Sequence, residues 1–225
     1  MYDAQPPSHY EYTLDEREGT IGTKQTAYYY MDQVFDGWCS YQKASVLIDI
    51  ILACKPKKIV EIGVWAGRSL VPMAYVLKQI GSGAIYGIDP WSPNASIQGL
   101  MHEKTKEFWT LADHEAIMHK LMGHLHQFGL EEHAQLIQST SIDAPPIYDI
   151  DILHIDGNHS DVTSYIDVTK WVPLVRSGGW IIFDDINWQE NGIRTNQRAV
   201  QYLNEHCHKI AEINDLCLWG IWVKP

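Results

Sequence analysis

Lys58-Ile59-Val60-Glu61-Ile62-Gly63-Val64-Trp65-Ala66-Gly67-Arg68-Ser69 begins as an apolar strand, passes an acid, and turns through two glycines into a helical pattern. Strand, glycine turn and helix in that order bring backbone close to a ligand at the carboxyl edge of an open α/β sheet. A dinucleotide fingerprint, G-x-G-x-x-G, needs its second glycine two residues after the first, where a pyrophosphate approaches. Here that position is Trp65, and the glycines are Gly63 and Gly67. Glu61 stands just before the turn, where it would repel a phosphate-bearing ligand. The pattern therefore fits a cationic, phosphate-free cofactor.

S-adenosylmethionine meets that description, and with this motif the chain resembles the class I S-adenosylmethionine-dependent methyltransferases. The resemblance implies cofactor contacts at Glu61, Gly63, Gly67 and Ser69. Upstream, Val46, Leu47, Ile50 and Ile51 follow a helical period between Ser40 and Cys54, and Lys55-Pro56-Lys57 ends that helix. Residues 1–39 mix Pro, Ser, Thr, Glu and Gly with Tyr28-Tyr29-Tyr30. They read either as an arm packed on a neighbouring subunit or as a lid whose Tyr rings line a substrate pocket.

Downstream, Leu70 to Leu77 continues a helix with Pro72 in its first turn. Ala84 to Asp89 is a second buried strand ending in an acid. Asp89 lies 22 residues past Gly67, close to where α/β nucleotide folds place a ribose-binding carboxylate, whose two oxygens can accept from vicinal hydroxyls. Gly87-Ile88-Asp89-Pro90-Trp91 resembles the variant in sugar and macrolide O-methyltransferases, which adds Trp91 to the cofactor set. Phe108 to Phe128 is expected to be one helix. Its His114, His119, His124 and His126 do not share a face, since a five-residue step rotates by about 140°, so they do not suggest a metal site. After a short strand at Ala134 to Ile137, Thr140 and Ser141 offer hydroxyls where such enzymes meet the adenine.

A further buried strand, Ile150 to Ile155, runs into Asp156-Gly157-Asn158-His159; another, Trp180 to Phe183, runs into Asp184-Asp185. The 28 residues from Asp156 to Asp184 suffice for one right-handed crossover, which puts all three acids on the edge carrying Gly63 and Asp89. Converging carboxylates repel unless a cation sits among them, and a hard divalent ion such as Mg²⁺ suits oxygen ligands. The set resembles that of macrocin-type O-methyltransferases. The resemblance implies Asp156, Asp184 and Asp185 as metal ligands, with Asp156 also beside the cofactor, and His159 as general base. His154, on the buried strand, reads as a core histidine. Ile210 to Ile213 and Leu216 to Val223 are expected to close the sheet as an antiparallel hairpin.

The remaining features bound the class. With 225 residues, 17 basic against 28 acidic side chains and a net charge of −11, the chain is sized for one domain and lacks the basic patch that nucleic acid or an anionic membrane requires. No run is long and apolar enough to span a bilayer, the N-terminus carries no apolar signal segment, and Cys39, Cys54, Cys207 and Cys217 show no paired spacing. Reduced thiols in the cytoplasm are the expectation. The combined reading is a doubly wound, Rossmann-like α/β methyltransferase domain over residues 40–225, mostly parallel with a C-terminal antiparallel hairpin. Its expected activity is S-adenosylmethionine-dependent, Mg²⁺-assisted O-methylation of a small hydroxylated molecule: a sugar, a natural product or a catechol-like diol. A cephalosporin hydroxylase-like enzyme of the same fold and a non-catalytic cofactor-binding module are the alternatives. Retention of Asp156, His159, Asp184 and Asp185 speaks against the second, because binding alone does not need them.

Overall fold

Alternation along the first sheet strand divides the protein into layers. In β1 (Lys58–Ile62), Ile59 packs into one apolar cluster while Val60 and Ile62 pack into another, the period-two outcome for a strand covered on both faces. The computed structural model describes residues 16–34 and 36–225. Among these, β1 lies in a seven-stranded sheet with β2 (Ala84–Asp89), β3 (Ala134–Gln138), β4 (Ile150–Ile155), β5 (Val175–Phe183), β8 (His208–Asn214) and β9 (Leu218–Val223). The order is β3-β2-β1-β4-β5-β9-β8. The first five strands are parallel, β9 runs antiparallel to β5, and β8 antiparallel to β9. This is the doubly wound sheet with a closing hairpin that the sequence predicts.

One face is covered by α1 (Glu16–Val34), α2 (Tyr41–Cys54), α3 (Leu70–Ile80) and α6 (His114–Gln127), which meet Ile59, Ile85, Ile152 and Ile182. The other is covered by α7 (Asp161–Trp171) and α8 (Gln197–His206) against Val60, Leu153, Ile155 and Phe183. Short elements line the carboxyl edge: α4 (Pro93–Ser96), α5 (Glu103–Leu111) and a ribbon of β6 (Gln189–Glu190) with β7 (Ile193–Arg194).

One expectation changes. The single helix over Phe108 to Phe128 is broken at Ala112, which is extended, because the Asp113 side chain accepts from the Ala116 N–H and starts α6 afresh. Within the expected arm, residues 1–15 and Phe35 lie outside the described residues, but α1 is built into the body. The Tyr30 ring stacks on Phe128 at 4.2 Å and meets Tyr75 edge-on at 5.1 Å. Arg68 ties this segment to the glycine turn, donating from Nη1 to the Met31 carbonyl (2.8 Å) and from Nε to that of Cys39 (3.0 Å).

Candidate active site

The glycine turn is held from within. Gly63 has φ +83°, and a Cβ there would lie 2.1 Å from the Asp156 carbonyl oxygen, so the missing side chain lets β1 and β4 deliver their ends side by side. The Gly63 N–H donates to the Ile88 carbonyl (2.9 Å) and the Gly67 N–H to that of Val64 (2.8 Å). Asp89 Oδ2 accepts from the N–H groups of Val64 (3.0 Å) and Trp65 (2.9 Å), and Oδ1 from that of Trp91 (2.7 Å). Burial pushes the Asp89 carboxyl up, against those three amides. Four amides of the turn are thus spent internally, whereas a phosphate cradle needs such groups free. The Asp89 carboxylate has about four lone-pair sites and three amide donors, which leaves room for a hydroxyl.

Strand parity assembles what lies beneath. Glu61 pairs in register with His154, and His154 with Ile182. All three therefore face one side, as does Asp184 two residues on, and α2 covers that side. Buried Glu61 Oε1 accepts from the Ser69 hydroxyl and lies 2.9 Å from His154 Nδ1; His154 Nε2 lies 3.2 Å from Asp184 Oδ2. Burial holds the Glu61 carboxyl up at about 8, and burial with the nearby Lys43 charge holds the imidazole down at about 3. Both groups are therefore neutral near pH 7. These partners assign a protonated Glu61 donating to His154 Nδ1 and a His154 Nε2–H donating to Asp184.

Lys43, from the first turn of α2, completes the cluster. Its ammonium is buried, forms an ion pair with Asp184 Oδ2 and lies 3.5 Å from Asp156 Oδ2. Burial opposes its charge, but Asp156 and the other acceptors around it more than offset this and raise its pKa. Asp185, at φ +51°, turns away from Asp184. Its Oδ2 lies 3.2 Å from His159 Nε2, and the His159 ring packs on Trp188 at 4.9 Å between centroids. Burial lowers the His159 pKa, yet hydrogen bonding and charge from Asp185, with Asp156 and Glu190, raise it overall. Around His159, Asn158 donates to the Ser96 carbonyl (3.0 Å), the His102 N–H to Glu190 Oε2 (2.6 Å), and Trp188 Nε1–H to Glu190 Oε1 (2.9 Å).

Several predicted site residues spend polar groups on contacts within the protein. Ser69 and Glu61 are buried against one another, although Glu61 Oε2 has no partner. Trp91 is buried in the core and spends its indole N–H on the Trp65 carbonyl (2.9 Å), bracing the turn. Thr140 donates to Asp143 (2.7 Å), and the Ser141 hydroxyl is buried against Asp167 on α7. Gly67 has φ +85° and packs against Leu121. The predicted trio Asp156, Asp184 and Asp185 does not converge on one point. Among the described residues, the possible ligand atoms group instead as His154–Asp156–Asp184 and as Asp156–His159–Asp185. The first group already surrounds the Lys43 ammonium, and the second uses the expected base as a ligand. Each group offers two carboxylates and one imidazole, so neither holds the three carboxylates that the sequence expects around a hard divalent ion.

A family model described as a methyltransferase domain matches residues 60–186, more than half of the chain. The chain belongs to this family. The matched segment runs from β1 through the glycine turn, Asp89 and the Asp156–His159 turn to the acid pair, while Lys43, Trp188 and Glu190 lie outside it. The fold is that of the class I S-adenosylmethionine-dependent methyltransferases, and solved structures share it at low identity. The O-methyltransferase TomG from Streptomyces achromogenes, involved in tomaymycin synthesis and solved with S-adenosylmethionine, is 15% identical over 90% of this chain and 89% of its own, with a TM-score of 0.60. An O-methyltransferase from Bacillus cereus, in complex with S-adenosylhomocysteine, is 13% identical over 95% and 93%, with a TM-score of 0.61. The N-methyltransferase NodS from Bradyrhizobium japonicum is 12% identical over 82% and 95%, with a TM-score of 0.53. No curated protein sequence matches the chain. Among the described residues no helix is long and apolar enough to cross a membrane.

Proposed function

We propose that the protein is an S-adenosylmethionine-dependent O-methyltransferase acting on a hydroxyl of a small molecule. The observation that carries this reading is the glycine turn whose amides are spent on Asp89 and on backbone carbonyls, beside an edge of acids. Such an edge repels phosphate and attracts a sulfonium. The remaining acceptor capacity of Asp89 suits a ribose hydroxyl, and the unpartnered Glu61 Oε2 gives the buried floor beneath the turn one more polar atom. When bound, S-adenosylmethionine supplies an electrophilic methyl group.

The chain's own residues then hold the acceptor and move its proton. His159 is the general base: its ring is positioned by Asp185 and Trp188, and imidazole is suited to this work near neutral pH. The Asp185 carboxylate stabilises the imidazolium that forms. The β6–β7 ribbon and the Glu190 contacts fix the ring's surroundings, and orienting the nucleophile in this way supplies much of the acceleration. Acceptance of oxygen is favoured over nitrogen because a hydroxyl needs a base to become a good nucleophile, whereas a neutral amine does not. Incubation with S-adenosylmethionine and matched panels of hydroxyl and amine acceptors, followed by mass spectrometry, tests the reading. Demethylated cofactor and a methyl ether are expected with hydroxyl acceptors; products formed only with amines would contradict it.

A further inference from the structure

The acid edge contains its own cations. Lys43 projects from a helix whose start is fixed by Ser40 accepting from the Lys43 N–H (2.9 Å), and its side chain is 3% exposed. Its ammonium is paired with Asp184 and 3.5 Å from Asp156, and Asp184 is itself 2% exposed. A Mg²⁺ ion shared by these carboxylates would need their oxygens at about 2.0–2.1 Å, in the space that the ammonium takes. Asp185, the third acid, is paired with His159 instead.

We propose that the Lys43 ammonium is the resident cation of the Asp156–Asp184 pair, and that methyl transfer in this protein needs no divalent metal. The inference rests on the O-methyltransferase reading and narrows it. Without a metal to chelate two oxygens, the acceptor need not be a vicinal diol, and one hydroxyl within reach of His159 is enough. Lys43 is a positioning residue here: it keeps two carboxylates together without touching the reacting atoms. Removing it leaves buried Asp184 and half-buried Asp156 without their counter-charge, a costly state that a divalent ion would relieve.

The test titrates Mn²⁺ into the full chain in the presence of S-adenosylhomocysteine and reads the free-ion signal by electron paramagnetic resonance. The wild type should leave that signal at the buffer level. Lys43→Met should take up Mn²⁺ and reduce the signal in proportion to protein, while Lys43→Arg, which keeps a cation, should behave as the wild type. Stoichiometric uptake by the wild type, at either group of ligands, overturns the proposal; so does a folded Lys43→Met that takes up none. If Lys43→Met does not fold, the wild-type titration decides alone. In a second arm, turnover by the wild type should be unchanged in excess EDTA, and loss restored by Mg²⁺ would overturn the proposal. Absence of methyl transfer under every condition would count against the methyltransferase reading and leave the Mn²⁺ result standing.

Discussion

Gly63 has no room for even a methyl group. Its would-be Cβ meets backbone, the Asp156 carbonyl at 2.1 Å, so neither partner can rotate aside, and its φ of +83° adds strain for any L-residue. Gly63→Ala should therefore cost on the order of 3 kcal/mol or more, read as a lowered chemical-denaturation midpoint. An unchanged midpoint would show that the turn relaxes more easily than its geometry implies. His159 is marked as a candidate by its place three residues after Asp156, but nothing in the sequence foretells its pairing with Asp185. Less legible is the sorting of the two neighbouring acids, since Asp184 goes inward and Asp185 outward through a left-handed backbone angle. His159→Ala should lower kcat on the order of 10²–10⁴-fold. With Asp185 holding the His159 pKa up, turnover of the wild type should rise with pH as the ring loses its proton. Asp185→Asn should move that rise to lower pH; an unmoved profile would separate His159 from the rate-limiting proton transfer.

At the scale of elements, α2 carries more information than its apolar period alone reveals. Lys43 precedes Leu47 and Ile51 by four and eight residues, and both are buried, so it lies on the helix face that meets the sheet. A lysine at that spacing needs a buried partner, and the strand alternation that aligns Glu61, His154 and Asp184 supplies it. Neither signal is decisive without the pairing of α2 to that face. The break before α6 is hidden in the sequence because apolar spacing continues across Asp113, while the cap that interrupts it is a local hydrogen bond. On α7, Asp167 lies under the Asp156–His159 turn with the Ser141 hydroxyl as its partner. Burial raises its carboxyl from the usual 3.8 to about 7. A raised acid binds its proton more tightly when folded, so its contribution is fully present below pH 3.8 and is lost as pH rises toward about 7. Asp167→Asn, which cannot ionise, should gain stability relative to the wild type as pH rises through that interval. Denaturation curves across it check this, and a constant difference would mean that the carboxyl does not titrate there.

Over the whole molecule, the order of strands and glycine turns is readable because each of four strands runs into a glycine or an acid, namely Gly63, Asp89, Asp156 and Asp184. The parallel sheet then brings those ends together at one edge. The counter-charges are not readable, since they come from a helix distant in sequence and from side-chain packing. The family match identifies a methyltransferase domain over residues 60–186, while the net charge of −11 makes the molecule as a whole unfavourable to polyanions. Isothermal titration with S-adenosylmethionine, and separately with NAD, tests the central claim most directly: that this glycine turn takes a phosphate-free sulfonium nucleoside. The account predicts saturable binding of S-adenosylmethionine, weakened in Asp89→Ala, and no binding of NAD. Tight NAD binding, or S-adenosylmethionine binding that a folded Asp89→Ala leaves unchanged, would contradict it.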